Sequence, residues 1–275
     1  MGVLDGKVAL VSGSGRGIGK SIALKLAAAG ANVVVNDLDE DVARATAGEI
    51  EKLGVHAVVC VGDVTNPDFG TKFVAAAVDA FGTIDIIINN AGYAWDAVLQ
   101  NTSDEQWAAM IDVHLTAPFR ILRAAQPVIA AAAKAEIAEH GRATRRTVVN
   151  ISSVAGLGGN PGQSGYAAGK AGIVGLTKTV MKEWGRYNVT VNAVAFGAIM
   201  TRMTAGEAGS STINVKGKDI KARVSQEILE AMEKGIPLGR AGTPDEAAGA
   251  VFLFCLPEAD YITGQVLVAG GGWSL

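Results

Sequence analysis

Short apolar runs recur along the chain and alternate with longer amphipathic stretches. Residues 7–12 (KVALVS), 32–36 (NVVVN), 55–61 and 84–88 (IDIII) are apolar with little polar alternation. That pattern belongs to strands covered on both faces, whereas a strand with one wet face alternates. Between them, residues 18–29, 39–53 and 67–81 repeat at helical spacing, and each is followed by a glycine: Gly30, Gly54 and Gly82. Glycine is favoured just past a helix end because it accepts the left-handed conformation there. The second half continues the rhythm, with a long helix over 103–133, a strand over 147–151 and a helix over 167–187. A strand over 189–194, a helix over 244–256 and a last strand over 265–268 complete it. Alternating β and α elements with short connections imply right-handed crossovers. The expected fold class is therefore α/β, one doubly wound parallel sheet of about seven strands with helices on both faces. No linker or repeat divides the chain, so residues 1–275 are read as a single domain.

Two stretches break the rhythm. Residues 134–146 (KAEIAEHGRATRR) are polar, and are expected to extend the preceding helix before looping over the surface. Residues 204–237 are too long for an ordinary connector, with helical character around 225–233 and apolar positions in and beside them at Met203, Ile213, Val215, Ile220 and Val224. A connection of that length is usually a lid or binding loop. Following the sixth strand, it would lie over the carboxyl ends of the sheet, where ligands bind in such folds.

Composition narrows the classes. Hydrophobic residues make up 49% of the chain and charged residues 19%, enough apolar surface for a large core and unlike a disordered chain. The formal net charge is −3, with acids and bases interspersed. There is no basic stripe for nucleic acid and no basic amphipathic helix for a membrane surface. Cys60 (in AVVCV) and Cys255 (in FLFCL) sit in apolar runs and read as buried thiols, which suits a reducing compartment. His56, His114 and His140 are too scattered for a metal site. The opening residues MGVLDGKVALVSG lack a basic-then-apolar leader, and Gly2 lacks the Ser or Thr of a myristoylation signal. No apolar run reaches the roughly 18 residues of a membrane span, so the expected location is the cytoplasm.

The first strand runs into SGSGRGIG at residues 12–19, which opens a helix. Glycines there let the backbone turn tightly and approach a diphosphate, and the helix N-terminus offers free N–H groups and the positive end of its dipole. Elsewhere the same string would be a plain turn; the strand–turn–helix junction makes Gly13, Ser14, Gly15, Arg16, Gly17, Ile18 and Gly19 candidate cofactor contacts. Asp37, followed by Leu38, ends the second strand 18 residues past Gly19. An acid there accepts hydrogen bonds from the adenosine ribose hydroxyls and repels the extra phosphate of NADP, which favours NAD. Two alternatives stay open: Asp37 as a helix N-cap, and Arg16 as a partner for a 2′-phosphate, which keeps NADP possible.

Tyr166 and Lys170, four apart on a predicted helix, share one face. A phenol is a poor base at neutral pH, but a nearby ammonium and a cationic nicotinamide would favour the phenolate. Tyr166 could then exchange a proton with a substrate hydroxyl. With Asn89-Asn90-Ala91-Gly92 after the fourth strand, Ser153 after the fifth and the glycine string near the N-terminus, the chain resembles the short-chain dehydrogenase/reductase family over nearly its whole length. The resemblance implies a Rossmann-type sheet of order 3-2-1-4-5-6-7 and a catalytic set of Ser153, Tyr166 and Lys170, the last two also touching the cofactor. It further implies that Asp63 and Val64 contact the adenine and that Asn90, Ala91 and Gly92 line the cofactor near its ribose. Gly197, Ile199 and Thr201 would hold the carboxamide. The helices at 103–133 and 167–187 would form a dimer interface within a homotetramer, with a homodimer as the alternative.

Departures from the family pattern are as informative. Ser12 stands for the common Thr, Ala269 for a frequent Asp, and Phe196 for the usual Pro, which places a bulky ring near the nicotinamide site. His114, in IDVHLTAPF, stands where many members carry an Asn that holds a water linked to Lys170. Histidine can donate and accept, so it could keep that relay; it could equally be a packing residue. VHL here and NDL at 36–38 are similar to the 3-hydroxyacyl-CoA dehydrogenase part of peroxisomal multifunctional enzymes. ISSVAG and YAAGKAG are similar to bacterial 3-oxoacyl-acyl-carrier-protein reductases. Both imply an oxidoreductase on a secondary alcohol/ketone pair, a 3-hydroxyacyl or 3-oxoacyl thioester foremost. A steroid or polyol dehydrogenase and a non-catalytic dinucleotide-binding regulator are the alternatives.

Overall fold

The computed structural model describes residues 2–201, 212–215, 218–221 and 234–273. Strands β1 (Val8–Val11), β2 (Asn32–Val35), β3 (Ala57–Val59), β4 (Ile86–Asn89), β5 (Arg146–Ser153), β6 (Val189–Phe196) and β9 (Val266–Ala269) form one sheet. Its order is β3-β2-β1-β4-β5-β6-β9, with every pairing parallel. This is the expected 3-2-1-4-5-6-7 sequence, and β4, β5 and β6 are buried at every residue. Burial on both faces is why their sequences do not alternate.

Element lengths depart from expectation at the places that build the site. β5 and β6 run two residues past 151 and 194, because Ser152↔Ala195 and Ser153↔Phe196 continue the ladder. That extension carries Ser153 to the carboxyl edge. β3 is shorter than 55–61; as the edge strand it pairs only on its β2 side, through Ala57–Val59.

Helices α1 (Gly17–Ala28), α2 (Glu40–Glu51) and a C-terminal helix α8 (Pro244–Leu253) cover one face. Their core holds Ile22, Leu26, Ile50, Val251 and Phe254. Helices α3 (Phe69–Phe81), α4 (Asp104–Ile111), α5 (Ala117–His140) and α7 (Ser164–Trp184) cover the other, with Phe73, Met110, Ile121, Ile129 and Trp184 inside. Each such side chain contributes about 1.5–3 kcal/mol by leaving water.

The single helix expected over 103–133 is two helices joined by a π-helical turn. α4 starts at a capping box: the Ser103 hydroxyl accepts from Gln106 N at 3.1 Å, and Gln106 Oε1 accepts from Ser103 N at 3.0 Å. Residues Asp112–Thr116 then form the π-turn, which carries His114. α5 continues to His140 and ends at Gly141 (φ 77°), so the first half of 134–146 extends the helix as expected. A five-residue helix α6 (Val154–Gly158) was not anticipated; it is capped by Ser153, whose hydroxyl accepts from Ala155 N at 3.2 Å.

The expected lid at 204–237 lies mostly outside the described residues, its helical stretch at 225–233, Met203 and Val224 included. Within it the backbone of β7 (Thr212–Val215) pairs antiparallel with β8 (Lys218–Lys221), strands the sequence reading did not foresee. Among the described residues no helix is long and apolar enough to cross a membrane.

Candidate active site

The carboxyl edge of the sheet gathers the candidate residues from the ends of six strands, β1 to β6, with α7 and the π-turn beside them. After β1, the Ser12 hydroxyl accepts from the backbone N–H of Asn90 (3.0 Å) and Ala91 (3.1 Å), and Asn90 Nδ2 donates to the carbonyls of Ser12 (3.0 Å) and Gly13 (3.1 Å). The hydroxyl that Ser12 shares with Thr is thus the part that locks the loops after β1 and β4 together. Gly19 is obligatory, since a Cβ there would drive into the Gly13 carbonyl and Asn90 Nδ2. α1 begins at Arg16 with no side-chain cap, and the outer side of Gly17 meets nothing within 4 Å. Uncapped first-turn N–H groups, an open glycine face and the dipole end fit a diphosphate.

The sequence set Arg16 against Asp37; the structure pairs them. Arg16 Nη2 lies 3.2 Å from Asp37 Oδ1 and 3.5 Å from Asp39 Oδ2, and Nε lies 3.4 Å from Asp37 Oδ2. Two carboxylates against one guanidinium leave the cluster net negative. The N-cap of α2 is Asp39, which accepts from Asp41 N and Val42 N, so Asp37 is not spent on capping. Leu38 beside it is exposed. Asp63 accepts from Thr65 N (2.8 Å) and Thr65 Oγ1 (2.7 Å), shaping its turn, and Val64 is buried. Sequence reasoning missed Asn36. Its Oδ1 accepts from Gly13 N at 3.0 Å, and its Nδ2 donates to the carbonyls of Cys60 and Gly62, joining three loops under the cofactor region. A buried Asn between an apolar strand and Asp37 was the available signal.

Ser153 ends β5, Tyr166 stands in the first turn of α7, and Lys170 follows one turn later. Lys170 is 4% exposed; its Nζ donates to the Ile151 carbonyl at 2.8 Å and lies 5.6 Å from the centre of the Tyr166 ring. The Ser152 hydroxyl donates to the Lys170 carbonyl at 2.7 Å, fastening α7 to β5. Burial pulls the Lys170 ammonium down to about 7. Burial also raises the Tyr166 phenol; its hydrogen bond with Ser153 opposes this and the charge of Asp96 adds to it. Surroundings that penalise charge thus act on both groups.

His114 is buried at 3% exposure against the same cluster. Its ring meets Tyr166 edge-on, centroids 4.8 Å apart, and its Nε2 lies 2.7 Å from the Tyr93 carbonyl. A carbonyl only accepts, so Nε2 carries the proton and Nδ1 is left as an acceptor. Nδ1 is buried and has no hydrogen-bond partner. Burial and the charge of Lys170 hold this imidazole well below its ordinary range, so it is neutral. Gly92 makes room for this ring, since a Cβ there would fall 2.8 Å from Nδ1 and nearer still to Cε1, and a Cβ on Gly169 would fall 2.9 Å from the His114 Cβ.

Two loops meet beside the cluster. Gln163 Nε2 donates to Asp96 Oδ2 at 2.9 Å, and Ala97 N donates to the Gly162 carbonyl at 2.9 Å. The segment after β6 holds Gly197 against Gly270, and Ile199 bridges to Gly242; Thr201 follows. Phe196 corrects another expectation. Its side chain joins the α1/α8-side core at 6% exposure, while its carbonyl accepts from Ser153 Oγ at 3.4 Å. Absence of a proline lets β6 pair with β9 through Phe196↔Ala269.

Residues 13–274 match the protein family described as enoyl-(acyl carrier protein) reductase. The chain is 37% identical over 272 residues to the 3-oxoacyl-[acyl-carrier-protein] reductase FabG of Chlamydia muridarum, covering 98% of each chain. It is 39% identical over 274 residues to the 3-oxoacyl-[acyl-carrier-protein] reductase of Synechocystis, covering 99% of this chain and 98% of that one. The crystal structure of a dehydrogenase/reductase from Sinorhizobium meliloti 1021 superimposes with a TM-score of 0.83 at 29% identity, over 99% of this chain and 96% of that one.

Proposed function

The chain belongs to the short-chain dehydrogenase/reductase family, and from that premise we propose that it reduces the 3-oxo group of an acyl thioester, with NADH as the favoured reductant. The observation that carries this reading is the Ser153–Tyr166–Lys170 cluster at the end of β5. Two hydroxyls converge there beside a buried lysine, the arrangement a carbonyl oxygen needs as it gains charge. An enoyl reduction, the reaction in the matched family's description, adds its hydride to a carbon–carbon double bond. The curated relatives are named for the 3-oxo reaction, and paired O–H donors suit that reaction better.

Residues 13–19 at the α1 N-terminus would hold the diphosphate of a nicotinamide dinucleotide. Asp37 would accept from its adenosine ribose, and Lys170 would hold its nicotinamide ribose. When bound, that group supplies the hydride. Ser153 Oγ positions the substrate oxygen. Tyr166, its phenol raised by burial, keeps its proton at neutral pH and so holds what a reduction needs; it releases that proton from Oη as the oxygen becomes an alkoxide. Lys170, held at about 7, can pass a proton back toward Tyr166 at working pH. The unpartnered Nδ1 of His114 is a suitable acceptor on the path that resupplies it. Against a net-negative Arg16–Asp37–Asp39 cluster, a 2′-phosphate meets repulsion, which is the support for NADH over NADPH. Free thiols at Cys60 and Cys255 are consistent with a cytoplasmic setting. Exposed Trp107 (45%) and Phe119 (43%), on α4 and α5, are apolar surface of the kind a subunit interface covers, in keeping with a homo-oligomer built through these helices.

The test is NADH oxidation with acetoacetyl-CoA by the wild type and Tyr166→Phe, with NADH and NADPH affinities measured in parallel by calorimetry. The expected result is a loss of about a hundredfold or more in kcat for the variant, the range typical of one acid–base group, with NADH bound more tightly. Turnover by Tyr166→Phe at the wild-type rate would overturn the mechanism.

A further inference from the structure

The segment from Tyr93 to Ala97 leaves β4 just past the Asn90-Ala91-Gly92 string and forms a wall next to Tyr166. Its far end is tied to the loop that precedes α7, through Gln163 to Asp96 and through Ala97 N to the Gly162 carbonyl. Gln163 lies three residues before Tyr166. The near end is held by the Tyr93 carbonyl, which lies 2.7 Å from His114 Nε2. His114 sits on the π-turn between α4 and α5 and packs edge-on against Tyr166. One imidazole therefore touches both the wall and the phenol. Gly92 and Gly169 give it the space, since a Cβ at either would collide with its ring or its Cβ.

We propose that His114 is a positioning residue that sets the 93–97 segment against Tyr166 through its Nε2–H bond to the Tyr93 carbonyl, a task separate from any proton transfer at Nδ1. The inference rests on the reading of Tyr166 as proton donor only for its kinetic consequence. Side-chain length makes the two tasks separable. An Asn side chain ends near the position of Nδ1, so it can replace that acceptor but does not reach the Tyr93 carbonyl. A Gln side chain places its amide N–H near Nε2 and can keep the tie, but offers nothing at Nδ1.

His114→Asn and His114→Gln are compared with the wild type by hydrogen exchange in a peptide spanning residues 93–98, and by kcat and KM with acetoacetyl-CoA and NADH. For His114→Asn, faster exchange and a KM raised about fivefold are expected, the change one net hydrogen bond produces. For His114→Gln, exchange and KM stay at wild-type values while kcat falls. Unchanged exchange in His114→Asn, or equal changes in both variants, overturns the proposal. Tyr166→Phe separates the two readings: with wild-type exchange and undiminished turnover it would sink the proposed chemistry and leave the tie standing. Should either His114 variant fail to fold, the ring nitrogens of 15N-histidine-labelled wild type decide the matter. The expected tautomer carries its proton on Nε2, and a proton on Nδ1 refutes the tie.

Discussion

Lys170 should make this protein less stable than it could be, and the deficit should depend on pH in a definite direction. Its ammonium is 4% exposed, and burial lowers it from 10.5 to about 7. Below pH 7 the folded and unfolded chains both carry the proton, and the folded state bears the whole cost of the buried charge. At about 1.4 kcal/mol per pH unit, a drop from 10.5 to about 7 amounts to something on the order of 5 kcal/mol. Between pH 7 and 10.5 the folded state has released the proton and the unfolded state has not, so stability rises with pH. Lys170→Met keeps the length and apolar stem and removes the charge. It forfeits the bond to the Ile151 carbonyl, about 1 kcal/mol. The variant should therefore be more stable than wild type by a few kcal/mol at pH 7. That advantage should shrink by about 2 kcal/mol between pH 7.5 and 9. Urea unfolding of both proteins at four pH values measures it, and the difference between them cancels every other titrating group. A variant less stable than wild type at pH 7, or a difference flat in pH, would refute the reasoning. The same variant should lose turnover, the usual trade at a site held for chemistry.

Other outcomes follow from the same geometry. Asp96 acts to raise the Tyr166 phenol, so Asp96→Asn, which keeps an oxygen for Gln163, should move the pH profile of alcohol oxidation to lower pH; an upward shift or none would contradict this. Gly92→Ala should cost about 1–3 kcal/mol by thermal or urea unfolding, because its methyl meets the His114 ring, and adding His114→Ala should recover more than half of that. Asp37→Ser removes one of two acids that engage Arg16, and should raise NADPH affinity relative to NADH by about tenfold or more in parallel titrations, a change of about 1.4 kcal/mol.

The sheet was legible because its central strands are buried on both faces, and burial of that kind leaves long Val and Ile runs in the sequence. Legibility failed where a neighbour decides the conformation. The π-turn at Asp112–Thr116 barely disturbs an amphipathic pattern, so residues 103–133 read as one helix although His114 sits on a break in it. β3 has the composition of a seven-residue strand, but only three residues find partners at the edge. α6 is too short to show a period at all, and it exists because the hydroxyl of Ser153 caps it.

At the site, spacing conveyed which groups share a face, and burial then decided what those groups do. Tyr166 and Lys170 were placed together by a four-residue interval, while the burial that disfavours the charged form of both depends on packing that spacing does not show. Arg16 and Asp37 were read as opposing influences on a 2′-phosphate, one attracting and one repelling it, because a sequence lists charges without their distances; 3.2 Å apart, they engage each other first. Gly92 was legible as a glycine and assigned to the cofactor, while the collision its Cβ would make is with His114, 22 residues away. Histidine at 114 therefore constrains 92, whereas the contact at 169 is with the His114 Cβ, which any residue but glycine would present. In return the imidazole reaches the Tyr93 carbonyl, which an asparagine side chain is too short to do. The departure from the family pattern at 114 thus uses room that the family's own glycine at 92 already leaves, with a tie to the loop beside Tyr166 as its structural product.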